Sequence, residues 1–229
     1  MKAVKRIVLI LIIVITITIS VIIYQGYDMY KEAVNDMSIE EKIKYIKIEK
    51  DYTSFEELPL DYINAVIAVE DRRFYIHSGI DIISIGRAIV TNIKDMKLSE
   101  GGSTITQQLA KNIYFTQKKE FTRKIAEAFM AYDIEKIYSK EDIFELYVNT
   151  SYFGDGYYCV KDASIGYFDK DPADMTRYES TLLAGIPNAP SIYAPTKNPE
   201  LAKQRQIQVI KQMVKYGYLT KGEADNIVE

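Results

Sequence analysis

The chain has almost no cysteine, no excess of positive charge and no glycine-rich nucleotide loop, and each absence removes a class of function. Cys159 is the one cysteine among 229 residues. That excludes an internal disulfide framework and a cysteine-rich zinc site, while leaving the compartment open. Lysine and arginine number 29 against 32 acids, a net charge of −3, so no global basic field points to nucleic acid and any anion site is local. Neither the G-x-x-x-x-G-K-[ST] order of a nucleotide P-loop nor a G-x-G-x-x-G occurs. No internal repeat, low-complexity tract or long Gly/Ser- or Pro-rich linker divides residues 55–229, so one domain is expected there.

What is present is apolar and aromatic. A 48% hydrophobic content with 19 tyrosines and 8 phenylalanines can fill a core. The N-terminal MKAVKR is followed by IVLILIIVITITISVIIY, residues 7–24, without charge or proline. At ~1.5 Å per residue this run spans about 27 Å as a helix, close to a bilayer core. A cleaved signal peptide is the rival, but its apolar run is shorter and ends in an A-x-A-like site, where this chain has Tyr24-Gln25-Gly26-Tyr27. The expectation is an uncleaved transmembrane anchor over 7–24. Lys2, Lys5 and Arg6 precede it, so residues 1–6 are expected in the cytoplasm and everything after Tyr24 outside. Residues 25–54, rich in Tyr, Lys and Glu, read as a spacing stalk that begins helically and includes a short strand at YIKIEK.

Helix-start signals are dense beyond it: Ser54-x-x-Glu57, Ser139-x-x-Asp142, Thr176-x-x-Glu179 and Thr220-x-x-Glu223 each fit a capping box. Helices are expected near 60–73, 82–95, 104–112, 120–138, 141–148, 158–167, 177–185, 199–216 and 221–228, a mainly α domain over residues 55–229. Breaks are expected at Gly101-Gly102, Gly154-Asp155-Gly156 and Asn188-Ala189-Pro190.

Two carboxylates stand where charge is out of place. On a 3.6-residue helix Ile63, Val66, Ile67, Glu70 and Phe74 share one stripe, whereas Asp71 and Arg72 fall on other sides. Glu70 is therefore either a surface acid paired with Arg73, worth a few tenths of a kcal/mol, or an acid held against apolar neighbours and suited to acid–base work. The second acid lies in FTRKIAEAFMAYDIEKIY. There Phe121, Ile125, Ala128, Phe129 and Tyr132 make one apolar face, and Arg123, Glu127, Met130 and Ile134 lie nearly opposite. Apolar residues on both faces predict a central helix, with Glu127 at the wall of a cleft. Lys119, Arg123 and Glu127 fall in one row after Lys111 and Lys118, either a solvated charge run or an anion site beside a carboxylate. Between the two acids lies GGSTITQQLAKN, where paired glycines permit close backbone approach and Ser103 or Thr104 can cap the next helix. The sole histidine, His77, reads as structural.

The ordered set EDRRFYIHSGID, GGSTITQQLAKN, RKIAEAF and SKEDIFELYVN resembles glycosyltransferase family 51, the peptidoglycan glycosyltransferases, over roughly residues 52–229. The resemblance implies a mainly α, lysozyme-like domain with a smaller membrane-proximal jaw, behind one transmembrane helix in the plasma membrane. It implies polymerisation of lipid II into β-1,4-linked glycan, with inversion and loss of polyprenyl diphosphate. By the same resemblance Glu70 is the general base on the acceptor 4-hydroxyl, and Glu127 orders the donor diphosphate, directly or through a divalent ion such as Mg or Mn. Arg73 is expected as a cation near Glu70. Ser103, Gln107, Gln108, Lys111, Lys119 and Arg123 fall at positions associated with donor sugar and diphosphate, and Asn188 in IPNAPS is a further candidate. Expected partners are lipid II, the growing glycan, membrane lipid and other cell-wall synthases.

A diphosphate leaves already charged, so the cations of 111–124 suit it better than they suit a glycosidase, which needs a protonated acid. Cys159 and Asp169 stand where glycine is common in the family, outside both carboxylate motifs, and retained activity is expected. No S-x-x-K, S-x-N and K-T-G series occurs, so a monofunctional enzyme without a transpeptidase domain is expected. A lysozyme-like lytic hydrolase and a silent lipid II-binding scaffold are the alternatives.

Overall fold

The N-terminal helix α1, Lys2–Asp36, is continuous through the apolar run and on into the domain. The computed structural model describes residues 2–96, 101–115 and 121–228. Side chains from Ile7 to Ile19 are largely exposed, and Thr16 and Thr18 return their hydroxyls to the carbonyls of Ile12 and Val14 at 2.9 Å. Those bonds satisfy in place the polar groups that lipid could not. This one helix is long and apolar enough to cross a membrane, which fits a single-pass membrane protein.

The rest is helical, with no β-strand among the described residues: α2 (Ile39–Lys47), α3 (Leu60–Glu70), α4 (Ile82–Asp95), α5 (Ile105–Tyr114), α6 (Phe121–Ile137), α7 (Lys140–Val148), α8 (Val160–Phe168), α9 (Arg177–Gly185), α10 (Pro190–Tyr193), α11 (Pro199–Lys215) and α12 (Lys221–Val228). Capping boxes at Thr104–Gln107, Ser139–Asp142 and Thr176–Glu179 open α5, α7 and α9, each worth about 1 kcal/mol. Ser54–Glu57 instead opens a single 3₁₀ turn, Phe55–Glu57.

Helix α3 is apolar nearly all round, and Tyr62, Ile63 and Ala65 to Ala68 are buried. It packs against α9 and α11, while α5 packs against α6 and α7. Both carboxylate candidates thus sit on helices at the centre of the molecule. Helix α1 covers the middle of the second apolar face of α6 at Ile125 and Phe129, while Phe121 and Tyr132 at its ends stay exposed, so the central placement expected from the two faces holds in part.

Three expectations are corrected. Helix α3 ends at Glu70, three residues short of the expected end, because Asp71 turns inward to bond elsewhere. YIKIEK is not a strand: Ile39, Ile43 and Ile46 pack at helical spacing, and Ile48 is left exposed. The same packing means that residues 25–54 are folded onto the domain and are not a free stalk, since Tyr30, Ile39 and Ile43 belong to the core. Of the two departures at glycine positions, Asp169 ends α8 in the left-handed region at φ 56°, where glycine is unstrained. Cys159 is extended at φ −145° and caps the same helix, so glycine has no advantage there.

Candidate active site

The site is built from the ends of α3 and α5 and from the inner face of α6. Asp71, immediately after α3, accepts from the Ile105 N–H at the start of α5 at 3.0 Å and lies 2.8 Å from His77 Nε2. An anion at a helix N-terminus is favourable, and both groups are buried. Asp71, and not only Glu70, is therefore an inward-facing acid, and its work is to staple α3 to α5. His77 belongs to that staple.

The staple fixes what faces what one turn later. Gln108 Nε2 donates to Glu70 Oε2 at 2.9 Å, and Tyr147 OH donates to Gln108 Oε1 at 3.4 Å. Glu70 is 9% exposed at its side chain and stands 3.6 Å from Arg205 Nη2 of α11. Its carboxylate thus meets an amide and a guanidinium, not the apolar stripe that its sequence position suggested.

Arg73, the cation expected beside Glu70, instead pairs at 3.0 Å with Asp81, which caps α4 by accepting from Ser84 N. Arg205 takes that place. The local signal for it was faint: Arg205, Gln208, Gln212 and Lys215 make a polar row at helical spacing beside the buried stripe of α11. That row lines a cleft of about 330 Å³ together with Glu70, Arg72, Arg87 and Asn188.

Glu127 is fully buried. Arg123 and Lys124 both pair with it, Lys124 Nζ at 2.6 Å from Oε2. Lys124 Nζ also donates to Ser103 Oγ at 3.1 Å, tying the Gly101–Ser103 segment to α6. Lys111, one turn after Gln108, responds to both acids. Its ammonium is held below the ordinary lysine range first by burial, then by repulsion from Lys124 and Arg123, and Glu127 and Glu70 oppose that fall.

The glutamine pair divides its labour. Gln107 is buried in the α5 capping box, where its side-chain oxygen accepts from Thr104 N at 3.1 Å. Lys119 lies outside the described residues. A divalent ion beside Glu127 is not supported by the donor set: its two oxygens are engaged by Arg123 and Lys124, and no three His, Cys, Asp or Glu side chains converge among the described residues. Lysine and arginine supply the positive charge here.

Fold and site together describe an α-helical, membrane-associated domain whose cleft sets a carboxylate beside cations, a layout suited to group transfer with an anionic leaving group. The profile of the transglycosylase family matches residues 37–214. A protein of Cupriavidus necator named as a transglycosylase is 44% identical over 175 residues, covering 76% of this chain and 75% of its own. Penicillin-binding protein 1F of Bacillus subtilis is 46% identical over 171 residues, covering 75% of this chain and 24% of its own. Penicillin-binding protein 1A of Neisseria lactamica is 44% identical over 181 residues, covering 79% of this chain and 23% of its own. The chain thus spans three quarters of the Cupriavidus relative and about a quarter of each penicillin-binding protein. The chain belongs to the transglycosylase family, glycosyltransferase family 51. It is a peptidoglycan glycosyltransferase by that membership.

Proposed function

We propose that this enzyme polymerises lipid II into β-1,4-linked glycan on the outer face of the plasma membrane, with the N-terminus of α1 in the cytoplasm. Glu70 takes the proton of the acceptor 4-hydroxyl as its oxygen bonds to C1 of the donor. The bond from C1 to the diphosphate oxygen breaks with inversion, and polyprenyl diphosphate departs as an anion. Gln108 and Arg205 orient the base. Lys111, Arg123 and Lys124 receive the diphosphate charge, Glu127 holds the last two in place, Ser103 fixes Lys124, and Asn188 meets sugar at the cleft wall.

The observation that carries this reading is Glu70, held at the wall of a polar cleft between the Gln108 amide at 2.9 Å and the Arg205 guanidinium at 3.6 Å. A carboxylate on a cleft that also carries Arg72, Arg87, Arg205 and Lys215 matches a reaction that needs a proton removed and negative charge received. A hydrolase would need an acid able to protonate an alkoxide, and both oxygens of Glu127 are already occupied by cations.

The test incubates the purified full chain with labelled lipid II in detergent or vesicles. Polymer of β-1,4 linkage is the expected product. Cleavage of finished glycan without polymer overturns the reading in favour of a lytic hydrolase, and no product in either assay overturns it in favour of a binding scaffold.

The lysine yields a pH prediction. Because the native Lys111 ammonium loses its proton at lower pH than a free lysine, polymerisation is expected to fall on the alkaline side earlier than an ordinary lysine would require. Lys111→Arg, whose guanidinium stays charged, should move that limb upward. For stability the sign is opposite. The unfolded chain holds more protons than the native one between the lowered value and the ordinary lysine value, so this group's contribution rises with pH across that window. Activity profiles and denaturant midpoints of both proteins read the two effects.

A further inference from the structure

Helix α1 does more than enter the membrane, because the part beyond its apolar run is packed into the domain. Ile22, Gly26, Met29, Tyr30, Ala33 and Val34 recur at helical spacing and are the shielded positions of that part. They meet the outer stripe of α6, Thr122, Ile125, Phe129 and Asp133. Gly26 lies where the two helices approach closely: a Cβ placed there would lie 2.5 Å from Ile125 Cβ and 2.8 Å from the Thr122 carbonyl oxygen. Only a bare backbone lets the helices cross at that distance.

Above the crossing, Phe129 is packed between Tyr27 and Tyr30 with ring centroids 5.2 and 5.8 Å away. Tyr30 OH donates to Asp133. Helix α5 is held as well, since Tyr114 OH donates to the Met37 carbonyl, just past the end of α1, at 3.0 Å.

Ile125 is two residues from both Arg123 and Glu127, so it lies about 200° around the helix from each, at ~100° per residue. The surface that α1 grips is thus the back of the wall whose front carries the cation cluster. We propose that α1 is a positioning element of the active site, with Gly26 at its tight crossing with α6: docking of α1 on α6 and α5 sets where Arg123, Lys124, Glu127 and Lys111 stand. The proposal rests on the transferase reading above. A displacement of the order of 1 Å at a catalytic cluster can reduce turnover about 100-fold, and the crossing leaves no space for one methyl group.

The test compares Gly26, Gly26→Ala and Gly26→Leu in the full-length chain in lipid vesicles, assayed with labelled lipid II. Alanine favours an isolated helix by about 1 kcal/mol over glycine, so any loss must come from the crossing and not from a weaker α1. The expected result is a kcat that falls about tenfold with alanine and further with leucine, while KM stays within about twofold and the melting temperature is retained. Asp28→Ala, on the exposed side of α1, should match the parent. Tyr30→Phe, which removes the Asp133 hydrogen bond without bulk, should lower kcat in the same direction and serves if the leucine variant does not fold. Equal kcat in all these proteins, or a loss accounted for by KM or by unfolding, overturns the proposal. Failure of the unsubstituted protein to polymerise lipid II overturns the transferase reading instead, so the two failures are distinct.

Discussion

Glu70→Gln is expected to reduce lipid II polymerisation by about 100- to 10,000-fold, the usual worth of a positioned general base, while leaving the fold intact. The amide has the shape of the acid and keeps an oxygen able to accept from Gln108 Nε2, which now donates to Glu70 at 2.9 Å. What it cannot do is take a proton. Arg205 loses its anion, but that side chain lies beside an open polar cleft where solvent can compensate. The loss should fall on kcat, because removal of the acceptor proton belongs to the chemical step and not to ground-state binding. Turnover with labelled lipid II, beside a thermal melt, is the measurement. Polymerisation at the parental rate would remove Glu70 from the role of base and leave the cleft without one among its lining carboxylates.

Much of this site was legible before the fold was known, and the failures share a cause. Helical periodicity placed α4, α9 and α12 at their observed limits and recognised α6 as a helix with apolar residues on both faces, of which one is buried, because spacing along one helix is a local property. It misjudged Asp71. A helix drawn on to residue 73 turns Asp71 outward, whereas the real helix stops at Glu70 when that acid finds the N-terminus of α5 and His77. Arg73 fails for the same reason. Its partner Asp81 lies beyond the turn that the extended helix would have removed, while Arg205 comes from a helix far along the chain, where nothing in the sequence pairs it with Glu70. The strand expected at YIKIEK shows a short alternation losing to a longer helical stripe, Ile39, Ile43 and Ile46, which had a core to join. Tertiary contacts decided each case, and only the resemblance to a family carried tertiary information into the reading of the sequence.

Glu127→Ala should be the more damaging substitution, because it removes stability as well as turnover. The carboxylate is fully buried and Arg123 is 8% exposed, so removing the acid leaves a buried guanidinium facing its neighbouring cations, Lys111 and Lys124, without the intervening charge. Breaking one side of a buried pair costs about 3–5 kcal/mol, a large part of the ~5–15 kcal/mol that holds a domain folded. Glu127→Gln separates the two effects. It keeps the shape and one accepting oxygen, so most of the stability should return, yet the negative charge that offsets the cations is still gone. Lys111 then loses one of the groups that oppose its fall, so its proton should leave at lower pH still and the alkaline limb of the activity profile should move down. The expected signature is a stable Gln variant with turnover reduced at least tenfold and a narrower alkaline range, against an Ala variant that also melts early. If the Gln variant keeps parental turnover and an unshifted alkaline limb, Glu127 serves packing alone, and the diphosphate must be received by cations that need no carboxylate to hold them.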